Sequence, residues 1–270
     1  MTTMTENKRD RLDSVISELN SFVIGFSGGV DSSYLLFRAH TLLKDKVMGV
    51  TLHTPYIPLS EIEEAIGFAE AHKINHRVLE LPFPDQIREN PPARCYICKK
   101  ILFDHLLRFA AENGFAHVAD GSNADDAVSY RPGLMALSEL GIRSPLMEAG
   151  LTKLEIRSLL RDEGLEIADK PSMTCLMTRI PYNTAVGPDI LEMVEQAEDF
   201  LSAAGYPGTR VRIHDKLARI ECHPEYLEKM IQLPERELIA ASLKKIGFRY
   251  VSLDLEGYRS GSYDGENTGK

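Results

Sequence analysis

The sequence predicts an α/β protein with a doubly wound, mainly parallel sheet, followed by a small C-terminal α+β domain. Short apolar runs alternate with helix-like stretches, a glycine turn separates the first such strand from its helix, and beyond Gly187 the pattern changes. With 270 residues, 43% of them apolar, the chain can build one large domain and a smaller companion. Its formal net charge of −9 disfavours non-specific attraction to nucleic acid or anionic membranes and suits a small anionic ligand met by a few arginines. The N-terminus turns polar and helical at once, and no apolar run approaches membrane-spanning length, which points to the cytoplasm. The 4 cysteines are too sparse for a disulfide scaffold, so clustered ones point to metal binding or chemistry.

An amphipathic helix over 7–19 precedes SFVIGF, Ser21 to Phe26, a strand that runs into SGGVDSS and the helical SYLLFRAHTLL. Further strands are expected at Lys46–His53, His76–Leu81 and Ala116–Gly121, with helices at about 60–72 and 98–112. Leu154, Ile156, Leu159 and Leu160 repeat at helical spacing, and Thr152 with Glu155 forms a capping-box signature at that helix's start. The first domain is placed at 1–186. The second, 187–258, comprises a helix from Pro188 to Ala204, the strands TRVRIH and LARIEC, a helix near 235–246 and a last strand, FRYVSLDL. Polar, glycine-rich residues 259–270 read as a disordered tail.

In GFSGGVDSS, Ser27, Gly28, Gly29, Asp31 and Ser32 lie between strand and helix, where glycines let backbone amides approach an anion at a helix N-terminus. The turn lacks the Walker A lysine and does not fit GxGxxG, which disfavours kinases and dehydrogenases; an ordinary βα turn is the bland alternative. The SGGxDS pattern resembles the PP-loop ATP pyrophosphatases, an adenine nucleotide alpha hydrolase-like fold. That resemblance implies cleavage of ATP between its α and β phosphates, transfer of AMP to a substrate oxygen, and Mg2+ to offset phosphate charge.

DGSNADDAVSYRPG, Asp120 to Gly133, follows a strand and should sit at the sheet's carboxyl edge, where Asn123, Asp125 and Asp126 can face phosphates or a metal. A polar turn with an N-cap is the alternative. Arg131 fits a phosphate-closing loop as well as it fits solvent. Arg210 and Arg212 alternate along a strand and share a face, suited to phosphate or carboxylate, although spacing alone favours a solvated face. Arg179 follows Cys175 by four residues. Glu221 ends the next strand as a metal ligand, a base or a salt-bridge partner.

Cys95 and Cys98 form CxxC, and Cys175 stands in the separate loop KPSMTCLMTR. Zinc, a redox disulfide and an iron–sulfur cluster all fit CxxC. Zinc would take Cys222 or a histidine as a fourth ligand, whereas a disulfide leaves Cys175 unused. A [4Fe-4S] cluster on three cysteines leaves one iron open to carry sulfide. Cys222, beside His223, reads as a packed structural cysteine.

Across residues 10–225 the chain resembles the LarE family of ATP-dependent sulfur transferases. The resemblance is carried by SGGVDSS, DGSNADDAVSYRPG, GLTKLEIR, KPSMTCLMTRIPY and RVRIHDKLARIE. It implies adenylation of the carboxylates of pyridinium-3,5-biscarboxylic acid mononucleotide and their conversion to thiocarboxylates during nickel-pincer nucleotide cofactor synthesis. It further implies an external sulfide or sulfur donor and homo-oligomers, a hexamer built from trimers among them. Some members sacrifice one cysteine, at the position of Cys175; Cys95 and Cys98 align this chain with the three-cysteine, cluster-bearing branch. By the same resemblance Arg179, Arg210, Arg212 and Glu221 are candidates for substrate or metal contacts.

Competing readings are a tRNA thiolation enzyme, testable by a tRNA gel shift, and an ammonia-using synthetase, testable by ammonia-dependent AMP release. A third is a non-catalytic nucleotide and iron sensor, which would release no pyrophosphate on substrate addition. The acidic charge and the lack of a basic tail weigh against tRNA.

Overall fold

The computed structural model describes residues 3–127, 132–171 and 174–259. Arg131 and most of the C-terminal tail lie outside them. The chain forms two compact units, one of Met1–Pro84 with Ala93–Met173, the other of Asp85–Pro92 with Thr174–Lys270.

The first unit runs α1 (Thr3–Leu19), β1 (Phe22–Gly25), α2 (Val30–Leu43), β2 (Val47–His53), α3 (Leu59–Ala71) and β3 (His76–Glu80). It continues with α4 (Arg94–Glu112), β4 (His117–Ala119), α5 (Ala124–Ala127), α6 (Pro132–Glu139), α7 (Pro145–Glu148) and α8 (Lys153–Asp162). Its sheet has the order β3-β2-β1-β4 with every pairing parallel; Phe22 stands opposite Val47 on one side and His117 on the other.

Alternation along β1 divides the core between the two sheet faces. Phe22 and Ile24 pack with Leu12, Ile16, Leu35 and Leu159, while Val23 packs with Val50, Phe103, Leu106 and Val118. Helices therefore cover both faces, as the doubly wound reading requires. Because β2 and β4 flank β1 on opposite sides, the chain reverses direction across the sheet at β1. The carboxyl end of that strand is where open α/β sheets bind ligands.

The capping box forms as expected, with Thr152 and Glu155 bonded reciprocally. Leu154 does not join the apolar face: it is 77% exposed, whereas Ile156, Leu159 and Leu160 are fully buried. Leu154 precedes Ile156 by two residues, about 200° around a helix, so it emerges on the opposite side. Helix α4 begins at Arg94, earlier than the apolar pattern implied, so the CxxC pair is helical.

The second unit contains α9 (Pro188–Ala203), β5 (Arg210–His214), β6 (Leu217–Glu221), α10 (Pro224–Ile231), α11 (Glu235–Ile246) and β7 (Tyr250–Leu253). Its sheet has the order β5-β6-β7, antiparallel at the first pairing and parallel at the second. Helix α10, with Pro224 in its first turn, was not evident as a separate element in the sequence. Among the described residues, no helix is long and apolar enough to cross a membrane.

Candidate functional site

Ser27 to Ser32 lie at the carboxyl end of β1 and the start of α2. Gly28 adopts φ +67°, and a Cβ there would stand 3.0 Å from Ala65 Cβ and 3.2 Å from its backbone; a side chain is excluded on both grounds. Gly29 caps α2 without a side-chain bond, leaving the helix's first amides to other partners. The Ser27 and Ser32 hydroxyls meet at 3.2 Å, and Ser32 Oγ also donates to the Gly29 carbonyl at 3.2 Å. Together these features make a glycine cradle at the positive end of a 14-residue helix, a geometry suited to phosphate.

The loop after β4 packs against the cradle. A Cβ on Gly121 would stand 2.9 Å from the Ser32 backbone nitrogen, so glycine permits this approach. Asp120 accepts from Ser122 and, at 2.6 Å, from Ser144. Asn123 Oδ1 accepts from the Asp125 amide at 2.9 Å, while Asp126 Oδ2 accepts from the Asn123 amide at 3.0 Å. Asn123 and Asp126 thus perform the turn-building role that sequence left open, and Asp125 Oδ2 accepts the Lys153 amide at 2.8 Å.

Two lysines missed at the sequence level reach the cradle. Lys153 Nζ bonds Asp31 Oδ2 at 2.6 Å, and Lys170 Nζ donates to the Gly28 carbonyl at 2.9 Å while pairing with Glu64 at 2.5 Å. Burial pushes the Asp31 carboxyl pKa upward and the Asp126 charge reinforces this, whereas Lys153 and Asn123 oppose it. Two cations, one from α8 and one from the segment beyond it, thus stand at the cradle, each paired with a carboxylate.

Cys95 and Cys98 lie near the start of α4 at i,i+3, a spacing that places them on one helix face. Cys95 is exposed, and the Cys98 thiol lies 3.1 Å from the hydroxyl of buried Tyr56. None of the four cysteines is disulfide-bonded. Cys175 belongs to the other unit. Among the described residues, no group of three or more His, Cys, Asp or Glu side chains is gathered in a metal-binding arrangement. Cys222 is fully buried, and desolvation pushes its thiol pKa upward, in keeping with a packing role.

In the second unit, a single 3-10 turn, Leu176–Arg179, follows Cys175. Buried Asn90 holds it, its amide donating to the carbonyls of Met177 at 3.3 Å, Ile180 at 2.9 Å and Pro181 at 3.0 Å. Arg179 is fully buried and binds Glu198 through two bonds of 2.9 and 2.8 Å. Arg210 and Arg212 are each 5% exposed, so they do not form a solvated strand face. Arg212 Nε donates to Glu221 Oε2 at 3.0 Å, Arg212 Nη1 donates to the Thr178 carbonyl at 2.5 Å, and Arg219 pairs with Glu221 Oε1 at 3.1 Å. Glu221 is thereby a salt-bridge partner. Burial pushes the Arg210 guanidinium pKa down and the nearby Arg179 and Arg212 charges add to this, while Glu198 opposes it.

The sequence model of the NAD synthase family matches residues 5–91, the stretch that contains the cradle. An uncharacterized protein of Synechocystis is 38% identical over 96% of this chain and 97% of its own length. The pyridinium-3,5-bisthiocarboxylic acid mononucleotide synthase of Lactiplantibacillus plantarum is 35% identical over 94% of this chain and 92% of its own. An uncharacterized protein of Methanocaldococcus jannaschii is 34% identical over 88% of this chain and 90% of its own.

Proposed function

Because the chain belongs to the LarE family, that of the pyridinium-3,5-bisthiocarboxylic acid mononucleotide synthase, we propose that it transfers sulfur to a pyridinium mononucleotide carboxylate activated by ATP. A substrate carboxylate oxygen attacks the α-phosphorus of ATP, and the bond to the β-phosphate oxygen breaks, giving an acyl adenylate and pyrophosphate. Hydrosulfide then adds to the acyl carbon and displaces AMP, leaving a thiocarboxylate and releasing a proton. Repetition on the second carboxylate gives the bisthiocarboxylate. The observation that carries the reading is the glycine cradle at the head of α2, with Lys153 and Lys170 beside it.

In this account the amides following Gly29 hold pyrophosphate, with Ser27 and Ser32 as flanking hydroxyls. Asp31 offers a carboxylate suited to Mg2+, while Asn123 and Asp125 shape the facing loop. Lys153 exchanges its bond to Asp31 for one to phosphate. Lys153→Met should raise the ATP dissociation constant about 10-fold or more, the worth of one charge-assisted bond, and calorimetric titration would read it. ATP affinity equal to that of the wild type would leave Lys153 a structural partner of Asp31.

Arg210 and Arg212 are assigned to the anionic substrate. Arg212→Lys keeps a cation beside Glu221 and loses the planar fork, so substrate binding should weaken by about 10-fold while ATP binding is retained. Unchanged substrate affinity in both Arg210→Lys and Arg212→Lys would remove these residues from recognition.

Cys95, Cys98 and Cys175 are thiolate donors of the kind that ligate iron, and three of them suit a [4Fe-4S] cluster with one iron left open. When bound, such a cluster supplies an iron site able to hold sulfide. The substrate reading is tested by incubating the protein with ATP, Mg2+ and pyridinium-3,5-biscarboxylic acid mononucleotide. AMP and pyrophosphate should form in equal amounts and only with that substrate present; formation with tRNA instead would support the thiolation alternative.

A further inference from the structure

We propose that Glu198 is a positioning residue which, through Arg179, fixes the Cys175 loop and ties it to the anion-binding strand β5. The inference rests on the sulfur-transfer reading above and concerns how sulfur delivery is kept in step with adenylation.

Every guanidinium nitrogen of Arg179 is engaged within its own unit. Nε and Nη2 grip the Glu198 carboxylate, while Nη1 donates to the Thr174 carbonyl at 2.7 Å, Thr174 Oγ1 at 2.6 Å, the Cys175 carbonyl at 3.1 Å and Thr178 Oγ1 at 2.8 Å. The acceptors contacted by Nη1 surround Cys175 on both sides. The two Nη1 hydrogens are shared among these acceptors, while the planar fork holds Glu198 along its other edge, a two-sided arrangement that a lysine's single ammonium does not reproduce.

Glu198 supplies the other end. Its Oε1 also accepts the Val211 amide at 2.9 Å, and its Oε2 lies 3.7 Å from Arg210 Nη1. Val211 stands between Arg210 and Arg212 in β5. One carboxylate on α9 therefore braces the cysteine loop through Arg179 and the arginine strand through its backbone. Arg212 adds a second tie through the Thr178 carbonyl. Such an arrangement holds a sulfur-bearing side chain and an anion-binding strand in fixed register within the unit, and small displacements of reacting groups are costly in rate.

The consequence is a coupling device. An acyl adenylate that waits for displaced sulfur is attacked by water instead, giving carboxylate and AMP rather than thiocarboxylate and AMP. Glu198→Gln puts an amide donor against Arg179 or Val211, and Glu198→Asp keeps the charge while shortening the brace. In both variants the ratio of the two products, rather than either rate alone, is the readout. Thiocarboxylate formed per pyrophosphate should fall about 10- to 100-fold. Arg179→Lys should show the same loss of coupling.

The measurement is the ratio of thiocarboxylate, by mass spectrometry, to pyrophosphate, by a coupled assay, in full-length protein whose folding is checked by circular dichroism. A purely structural role would lower both products together and leave the ratio unchanged; that outcome in folded Glu198→Asp or Glu198→Gln overturns the proposal. Cys175→Ala is the control for the parent reading. If it transfers sulfur as well as the wild type, Cys175 has no part in sulfur delivery and the brace has nothing to position. If Cys175→Ala loses transfer and the Glu198 variants keep their ratio, the failure belongs to the brace alone.

Discussion

Gly29→Val is expected to abolish substrate-dependent pyrophosphate release while leaving the fold intact. Gly29 has φ −81° and ψ 163°, an ordinary extended conformation, and an added Cβ would meet nothing nearer than Ser27 Oγ at 3.4 Å. The backbone therefore accepts a side chain. Valine's branched methyls would stand at the head of α2, where an arriving phosphate must approach the amides. Each charge-assisted bond lost is worth about 1.5–3 kcal/mol, so losing two should lower activity by more than about 100-fold. Gly28→Val is a poor substitute, since positive φ and the Ala65 backbone would make it a test of folding. Wild-type pyrophosphate release by well-folded Gly29→Val would remove the loop from the mechanism.

The second large effect concerns the cysteines. Anaerobically prepared protein should contain about four irons per chain, and Cys95→Ala, Cys98→Ala and Cys175→Ala should each lower iron content and abolish multiple-turnover sulfur transfer. Pyrophosphate release should survive the first two changes, because neither Cys95 nor Cys98 belongs to the cradle. A sacrificial mechanism predicts another pattern: only Cys175→Ala is inactive, and iron content is irrelevant. Iron analysis alongside turnover counts separates the two. Full multiple turnover in iron-free Cys95→Ala would defeat the cluster assignment.

The parts of the fold legible in sequence were those set by local chemistry. SFVIGF followed by SGGVDSS announced strand, cradle and helix because apolar β-formers, two glycines and a helix start lie side by side. The Thr152–Glu155 capping box was equally local. Arg210 and Arg212 were visible as a pair, but alternation could not distinguish a buried face from a solvated one; Glu221 and the Thr178 carbonyl make that burial tolerable. Lys153 and Lys170 escaped notice because their partners, Asp31 and the Gly28 carbonyl, lie 122 and 142 residues away in the chain. Glu198 is one of several acids on α9, and nothing near it in sequence distinguishes the carboxylate that meets Arg179 from its neighbours. Asn90 was hidden likewise, its acceptors standing 87 and 90 residues on.

The most direct test of the central claim is mass analysis of both substrate and protein after several turnovers with ATP, Mg2+ and hydrosulfide under anaerobic conditions. The account predicts pyridinium mononucleotide in which sulfur has replaced one oxygen of each carboxylate, in molar excess over protein, with the mass of the polypeptide unchanged. A single thiocarboxylate equivalent per chain, matched by loss of the Cys175 sulfur to dehydroalanine in iron-free protein, would contradict it.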